Sequence, residues 1–153
     1  MNTKELKTLL QETIESSIVV KLVNLGFKWK KGALKFQRKK DDFEQSILFY
    51  FTPSKYQDDK SIGHLNIMIR FDSNEINSVT TKLKGSNNKF DNVDTVVNVD
   101  AGLIVGSNAI SWRPFSIEEM NKIIETEIKP LIIEKIIPFL DKRGKIQEVL
   151  KDY

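Results

Sequence analysis

One histidine, His64, and four groups of acidic residues are the side chains in this sequence whose chemistry has to be weighed first. Imidazole can shuttle protons or bind a metal, and carboxylates converging on a cleft can run glycoside or metal-assisted hydrolysis. The acids fall at Asp41-Asp42, Asp58-Asp59, Asp72-x-x-Glu75 and Asp91-x-x-Asp94. His64 stands beside Gly63 at the predicted start of a strand, with no second histidine to share a metal, and reads as a loop residue. The acidic groups lie at strand ends and in polar loops, where aspartate is favoured for its local backbone hydrogen bonds. Asp72-Ser73-Asn74 opens like a calcium loop, but Ile76 takes the next ligand position and no glycine follows it. The chain has no cysteine, which excludes disulfides, thiolate zinc sites and cysteine nucleophiles. It has no glycine motif that would cradle a phosphate. The sequence therefore predicts no catalytic residue, no metal and no cofactor.

The strongest chemical signal is a charge pattern. From Lys28 to Lys40 there are seven cations (Lys28, Lys30, Lys31, Lys35, Arg38, Lys39 and Lys40) and no acid, threaded through Phe27, Trp29, Leu34 and Phe36. Two extended runs about a turn at Lys31-Gly32 form a β-hairpin whose alternation separates an apolar face from a cationic one. Lys28, Lys30, Lys35 and Lys39 become candidate contacts for phosphates or for an acidic protein. The plainer reading is that edge-strand lysines prevent aggregation while the aromatics are core. Nucleic acid is the weaker partner class, because a stacking platform needs aromatics and cations on the same face. Of the 24 cations 20 are lysine and 4 arginine, at a net charge of +3 and a pI near 9.0. Lysine is a hydrated point charge, whereas base reading favours arginine.

These residues need a scaffold. At 153 residues, 40% apolar and 29% charged, the chain suits a single globular domain, 1–153, able to bury its own core. Leu6, Leu9, Leu10, Ile14, Ile18, Leu22 and Leu25 recur at three- and four-residue steps, predicting an amphipathic helix over 4–25 closed by Gly26. The run 46–52, ended by Pro53, predicts a central strand with Ile47, Phe49 and Phe51 on one face and Leu48 and Tyr50 on the other. Over 64–71 the alternation turns Leu65, Ile67, Ile69 and Phe71 to the core and leaves Asn66, Met68 and Arg70 outside. Residues 72–94 predict a long polar excursion with one helical turn around Ile76, Val79 and Leu83. Residues 96–105 and 110–112, joined by a turn at 106–108, complete the sheet. Ser116 with Glu119 is a capping box, and Phe115 with Met120 its hydrophobic staple, so a helix starts there. Pro130 should kink or restart it, Gly144 should end it, and Ile146, Val149 and Leu150 make a short last turn.

The expected architecture is α+β: an N-terminal helix, an antiparallel β-meander of five or six strands, and C-terminal helices packed on one sheet face. The outer face, with Leu48, Tyr50, Met68, Asn66 and Arg70, is neither plainly polar nor plainly apolar, so it either lies under a second layer such as the C-terminal helix or forms a contact surface. Trp112-Arg113-Pro114-Phe115 adds Arg113 to the candidates, at a corner where Trp112 and Phe115 pack. The candidate binding surface is thus Lys28, Lys30, Lys35, Lys39, Tyr50, Met68, Arg70 and Arg113. The first residues lack the apolar core of a secretory signal and charge interrupts every apolar stretch, so a cytoplasmic location with no membrane partner is expected.

The run Leu25-Gly26-Phe27-Lys28-Trp29-Lys30-Lys31 leading into Leu34-Lys35-Phe36-Gln37-Arg38, the strand Leu65 to Phe71, Trp112 before a helix, and Ile137-Pro138-Phe139-Leu140-Asp141-Lys142 together carry a likeness. In them the chain resembles the uncharacterised bacterial family labelled domain of unknown function 4304 over nearly its whole length. The polar excursion 72–94 departs from that family's pattern. The resemblance implies an α+β domain and carries over no catalytic residue. In size and style the chain is similar to small bacterial immunity-type proteins, which act by binding a partner protein. The leading expectation is a non-enzymatic protein-binding domain; the alternatives are anion or nucleic-acid binding through the basic hairpin, and a carboxylate-based hydrolase.

Overall fold

A computed structural model describes residues 3–54, 60–73, 94–106 and 108–144, and for 94–97 the backbone alone. The chain opens with a helical rod in which the α-helix Thr3–Ile14, a π turn Glu15–Val19 and the α-helix Val20–Asn24 follow without a break. Its buried apolar residues are Leu6, Leu10, Ile14, Ile18 and Leu22, one in every four. In an α-helix a four-residue step overshoots a full turn by about 40°. Five residues at that spacing would wind off the core. The π turn holds more residues per turn and winds the stripe back.

A second rod repeats the device. The α-helix Ile117–Ile123, π turn Ile124–Ile128, α turn Lys129–Leu131, π turn Ile132–Ile136 and α-helix Ile137–Asp141 run in succession. Met120, Ile124, Ile128, Ile132, Ile136 and Leu140 are all fully buried, again one in four. A longer stripe takes two π turns. Pro130 and Pro138 each follow a π turn by two residues, near the start of a new α segment where a missing amide hydrogen costs least. The helix restarts at Pro130, as its sequence requires.

Both rods end on defined caps. Gly26 has φ +93°, its N–H donates to Val23 O and the Phe27 N–H to Leu22 O, the paired bonds of a Schellman motif. The second rod begins at Ser116, whose hydroxyl accepts from the Glu119 N–H, while the Glu119 carboxylate accepts from the Phe115 N–H. The staple expected of Phe115 does not form. Phe115 is 59% exposed and Met120 fully buried, so Phe115 takes no part in packing the corner either, leaving Trp112 to do so. The rods lie side by side and parallel: Thr13 Oγ1 donates to Asn121 Oδ1 and Ser17 Oγ to Glu125 Oε2, at the same sequence offset.

The sheet consists of β1 (Lys28–Lys30), β2 (Lys35–Lys40), β3 (Phe43–Pro53), β4 (Gly63–Ser73), β5 (Asp94–Asp100) and β6 (Ser111–Trp112). All pairings are antiparallel in the order β1-β2-β3-β4-β5, with β6 also on β4. This is the α+β meander expected of the sequence. One boundary differs: the strand expected over 96–105 stops at Asp100, because the Asp100 side chain accepts the Gly102 N–H and caps a short helix, Ala101–Ile104. The expected turns around Ile76, Val79 and Leu83 and around Ile146, Val149 and Leu150 lie outside the described residues.

One core holds the layers together. Ile47, Phe49, Leu65, Ile67, Ile69 and Phe71 of the sheet share a single cluster with the stripes of both rods. The C-terminal rod therefore packs on the same sheet face as the N-terminal one, and not on the mixed outer face. Among the described residues no helix is long and apolar enough to cross a membrane.

Candidate interaction face

The first rod fixes the position of the basic hairpin. Gln11 Nε2 donates to Lys31 O at 2.9 Å and Lys7 Nζ to Gly32 O at 3.0 Å, holding the turn between β1 and β2 against the helix. Lys31–Ala33 form a 3-10 turn in place of a two-residue one, and Leu34 takes a left-handed conformation, φ 51° and ψ 49°, to re-enter β2. Trp29 pairs in register with Phe36 on the core side, their rings 4.6 Å apart, and Trp29 Nε1 donates to Glu15. Alternation then turns Lys28, Lys30, Lys35 and Lys39 outward.

Strand register gathers the candidates into rows. Lys30, Lys35, Leu48, Met68 and Asp100 stand side by side across five strands. Beside them runs Lys28, Gln37, Ser46, Arg70 and Asn98, and on the β2–β3 turn side Lys39, Glu44 and Asp72. Tyr50 continues the face toward the other end, opposite Asn66, and is 48% exposed. Seven of the eight candidates, Lys28, Lys30, Lys35, Lys39, Tyr50, Met68 and Arg70, thus share the sheet face away from both rods. Arg113 stands one residue past β6, exposed, at the corner leading to the second rod.

Charge is unevenly spread on this face. Lys30 and Lys35 are directly opposite each other, a like-charge pairing that costs stability in an isolated sheet. The cations crowd β1 and β2; the acids Asp72 and Asp100 lie on β4 and β5. Arg70 Nε bonds Asp72 Oδ1 at 3.1 Å, so the outer face also carries an internal ion pair. The middle of the face is largely closed: Ser46, Leu48 and Asp72 are buried, and Met68 is half-buried.

Sequence reasoning missed the residues that lock the layers. Arg38 and Lys40 belong to the core side of β2, not to the cationic face. Arg38 Nη2 donates to Asp141 Oδ1 at 2.6 Å, Nη1 to Leu25 O at 3.3 Å, and Nε to Gln45 Oε1 at 2.9 Å, with its guanidinium 4.5 Å from the Phe27 ring centre. Gln45, fully buried, donates in turn to Leu140 O at 2.8 Å and Arg143 O at 3.3 Å. One cation thereby serves the C-terminal ends of both rods, where helix dipoles favour positive charge. The parity of Arg38 with Phe36 was the available signal.

Among the described residues the candidate acids are not brought together. Asp41 and Asp42 form the exposed β2–β3 turn, Asp72 is tied to Arg70, and Asp58-Asp59 and Asp91 lie outside the described residues. Glu118, Glu119 and Glu127 line one cleft on the second rod, but all are exposed and Glu119 is engaged by the Phe115 N–H. His64 sits on the outer face of β4 opposite Thr52. Among the described residues no group of three or more His, Asp or Glu is placed to hold a metal ion. Comparison with family models, curated proteins and solved structures finds no match to this chain.

Proposed function

We propose that this protein is a non-catalytic binding domain that docks another polypeptide on the outer face of its sheet. The observation that carries the reading is convergence: residues chosen for charge in β1 and β2 and for mixed polarity in β3 and β4 meet on the one sheet face that neither rod uses. A contact surface of this kind has an apolar centre and a polar rim. Here Tyr50 and the half-buried Met68 supply the apolar contact and the lysines the rim, while Leu48 beneath them is buried. A role in the bacterial cytoplasm of the kind played by immunity-type proteins, and kinship with the domain of unknown function 4304 family, belong to the same proposal.

Affinity capture from the native host, at low and moderate salt, tests it. The wild type should retain an identifiable polypeptide, and Lys30→Glu/Lys35→Glu and Tyr50→Ala should each lose it. Recovery of no partner under either condition counts against the reading. The Lys30 and Lys35 pairing also supports a second reading, in which Lys28, Lys30, Lys35 and Lys39 neutralise phosphates. That version predicts filter binding to mixed DNA and RNA that falls steeply with salt. Binding insensitive to salt and to charge reversal at Lys30 and Lys35 would sink it.

A further inference from the structure

Near the end of the second rod Pro138, Phe139 and Lys142 follow Lys135 by three, four and seven residues, the spacing of neighbours on one side of a helix. The rod's inward stripe there is Ile132, Ile136 and Leu140, so these four lie on its flank, with Phe139 half-buried and Lys135, Pro138 and Lys142 exposed. Opposite the flank stands the short helix Ala101–Ile104, and Ile104 and Val105 close the other side of a cleft of about 420 Å³. That wall is fixed. The Asp100 carboxylate accepts the Gly102 N–H at 2.8 Å and the Ile110 N–H at 2.9 Å, and Gly102 sits too close to Asn108 O to carry a Cβ. A wall set before a ligand arrives costs nothing to order.

Charge is graded along the cleft. Lys142 and Arg143 make one end cationic, Ile104, Val105, Pro138 and Phe139 make the middle apolar, and at the far end Lys135 stands beside Glu134. The Arg143 guanidinium lies 3.7 Å from the Phe139 ring centre and its Nη1 donates to Phe139 O at 3.1 Å, which pins a positive charge beside the apolar floor. A helix C-terminus ordinarily repels anions through its free carbonyls. Here Gln45 donates to Leu140 O and Arg143 O, and Asp141 is paired with Arg38 and Lys40. Aromatic and cation thus meet on one surface, the combination the basic hairpin lacks. We infer that this cleft binds a small anion with an apolar body, a carboxylate or a phosphate monoester. Its head lies between Lys142 and Arg143, since Glu134 offsets the charge of Lys135, and its body lies on Phe139 toward Lys135. Seven helical residues rise about 10 Å, the length of an eight-carbon chain. For a ligand of about ten heavy atoms the dissociation constant falls near 1 mM, to order of magnitude.

Amide-resolved NMR of the nitrogen-15-labelled chain, titrated with octanoate and separately with phenyl phosphate, is the test. Both should give saturable shifts at residues 104–105 and 138–143. Octylammonium, with the same body and the opposite charge, and inorganic phosphate, with no body, should each bind at least about tenfold more weakly. Tighter octanoate assigns a fatty-acid-like ligand, and tighter phenyl phosphate a phosphate monoester. Lys142→Glu should weaken octanoate binding about fivefold and Lys135→Glu about twofold. Lys30→Glu, the same change of charge on the outer sheet face, should alter it by less than about twofold. Amide spectra unchanged away from each substitution show that the variants fold. Shifts that never saturate or that fall outside the cleft overturn the site. Equal affinity for octanoate and octylammonium does so too, as does a loss at Lys30→Glu matching that at Lys142→Glu. The site stands apart from the docking face, whose own variants are read by partner capture.

Discussion

Gln45→Leu is the sharpest probe of how the layers are held. Gln45 is fully buried on the core side of β3, accepts from Arg38 Nε and donates to the carbonyls of Leu140 and Arg143. Leucine keeps most of the volume and none of the hydrogen bonds. The two neutral bonds are worth about 0.5–1.5 kcal/mol each and the charged one about 1.5–3 kcal/mol. The added apolar burial returns about 1 kcal/mol. A net loss of about 3 kcal/mol follows, a large share of the roughly 5–15 kcal/mol by which domains are stable. In heat the shift should be about 6–12 °C for a chain of this size. Urea unfolding followed by far-UV circular dichroism measures it, with an unchanged slope showing that the unfolded reference is the same. Arg38→Met completes a double-mutant cycle. The double variant should cost clearly less than the two singles together, because removing both partners leaves no orphaned Nε–H on one side or amide on the other. Additive singles, or a Gln45→Leu variant within about 0.5 kcal/mol of wild type, would refute the shared-cap account.

Three further outcomes are expected. A methyl at Gly144 would run into the Asp41 carboxylate and touch Lys40, while Gly144 O accepts the Asp42 N–H, so Gly144→Ala should destabilise by about 1–3 kcal/mol. Asp41→Gly, which tolerates that residue's φ of +51°, should restore much of the loss in the double variant's urea midpoint. Phe115→Ser should change stability by less than about 0.5 kcal/mol, since the exposed ring packs on nothing that anchors the helix; a larger loss would reinstate the staple. The Glu125 carboxyl is held below the ordinary carboxylate range because Ser17, and after it Lys129, donate hydrogen bonds to its charged form. Its contribution is present above the ordinary pKa and fades as pH falls through the lowered value. Ser17→Ala should raise that pKa in a carbon-detected titration, and an unmoved pKa would contradict the contact between the rods.

Local patterns made much of this fold legible. Alternation over 65–71 placed every side chain of that stretch on its observed face, because a strand's period of two leaves no freedom once one face is apolar, whereas His64, read as a loop residue, lies within β4. The same parity separated Trp29 and Phe36 from Lys28, Lys30 and Lys35. Ser116 and Glu119 marked the start of the second rod because a cap is chemistry between residues three apart. The short helix after Asp100 was not legible, since its apolar run fits a strand equally well until the carboxylate is seen to bind the Gly102 N–H. Nor was the role of Arg38, which from sequence belongs to a cluster of surface cations. Its partners, Asp141 and Gln45, are 103 and 7 residues away.

What the sequence by itself determined were periods: two stripes of apolar residues at every fourth position, strands of alternating polarity, and a hairpin with its charges on one side. Each is a property of neighbours along the chain, set by the few backbone geometries that can bury such a pattern. Only tertiary structure decided which side of the sheet the second rod would cover, because both faces of β3 offered apolar residues and nothing local distinguishes them. By settling Met120 through Leu140 on the same face as Leu6 through Leu22, folding left Leu48, Tyr50 and Met68 on the other. Strand register then set Lys30 and Asp100 at opposite ends of one row, 70 positions apart in the chain and joined only by the hydrogen bonds of the strands between them.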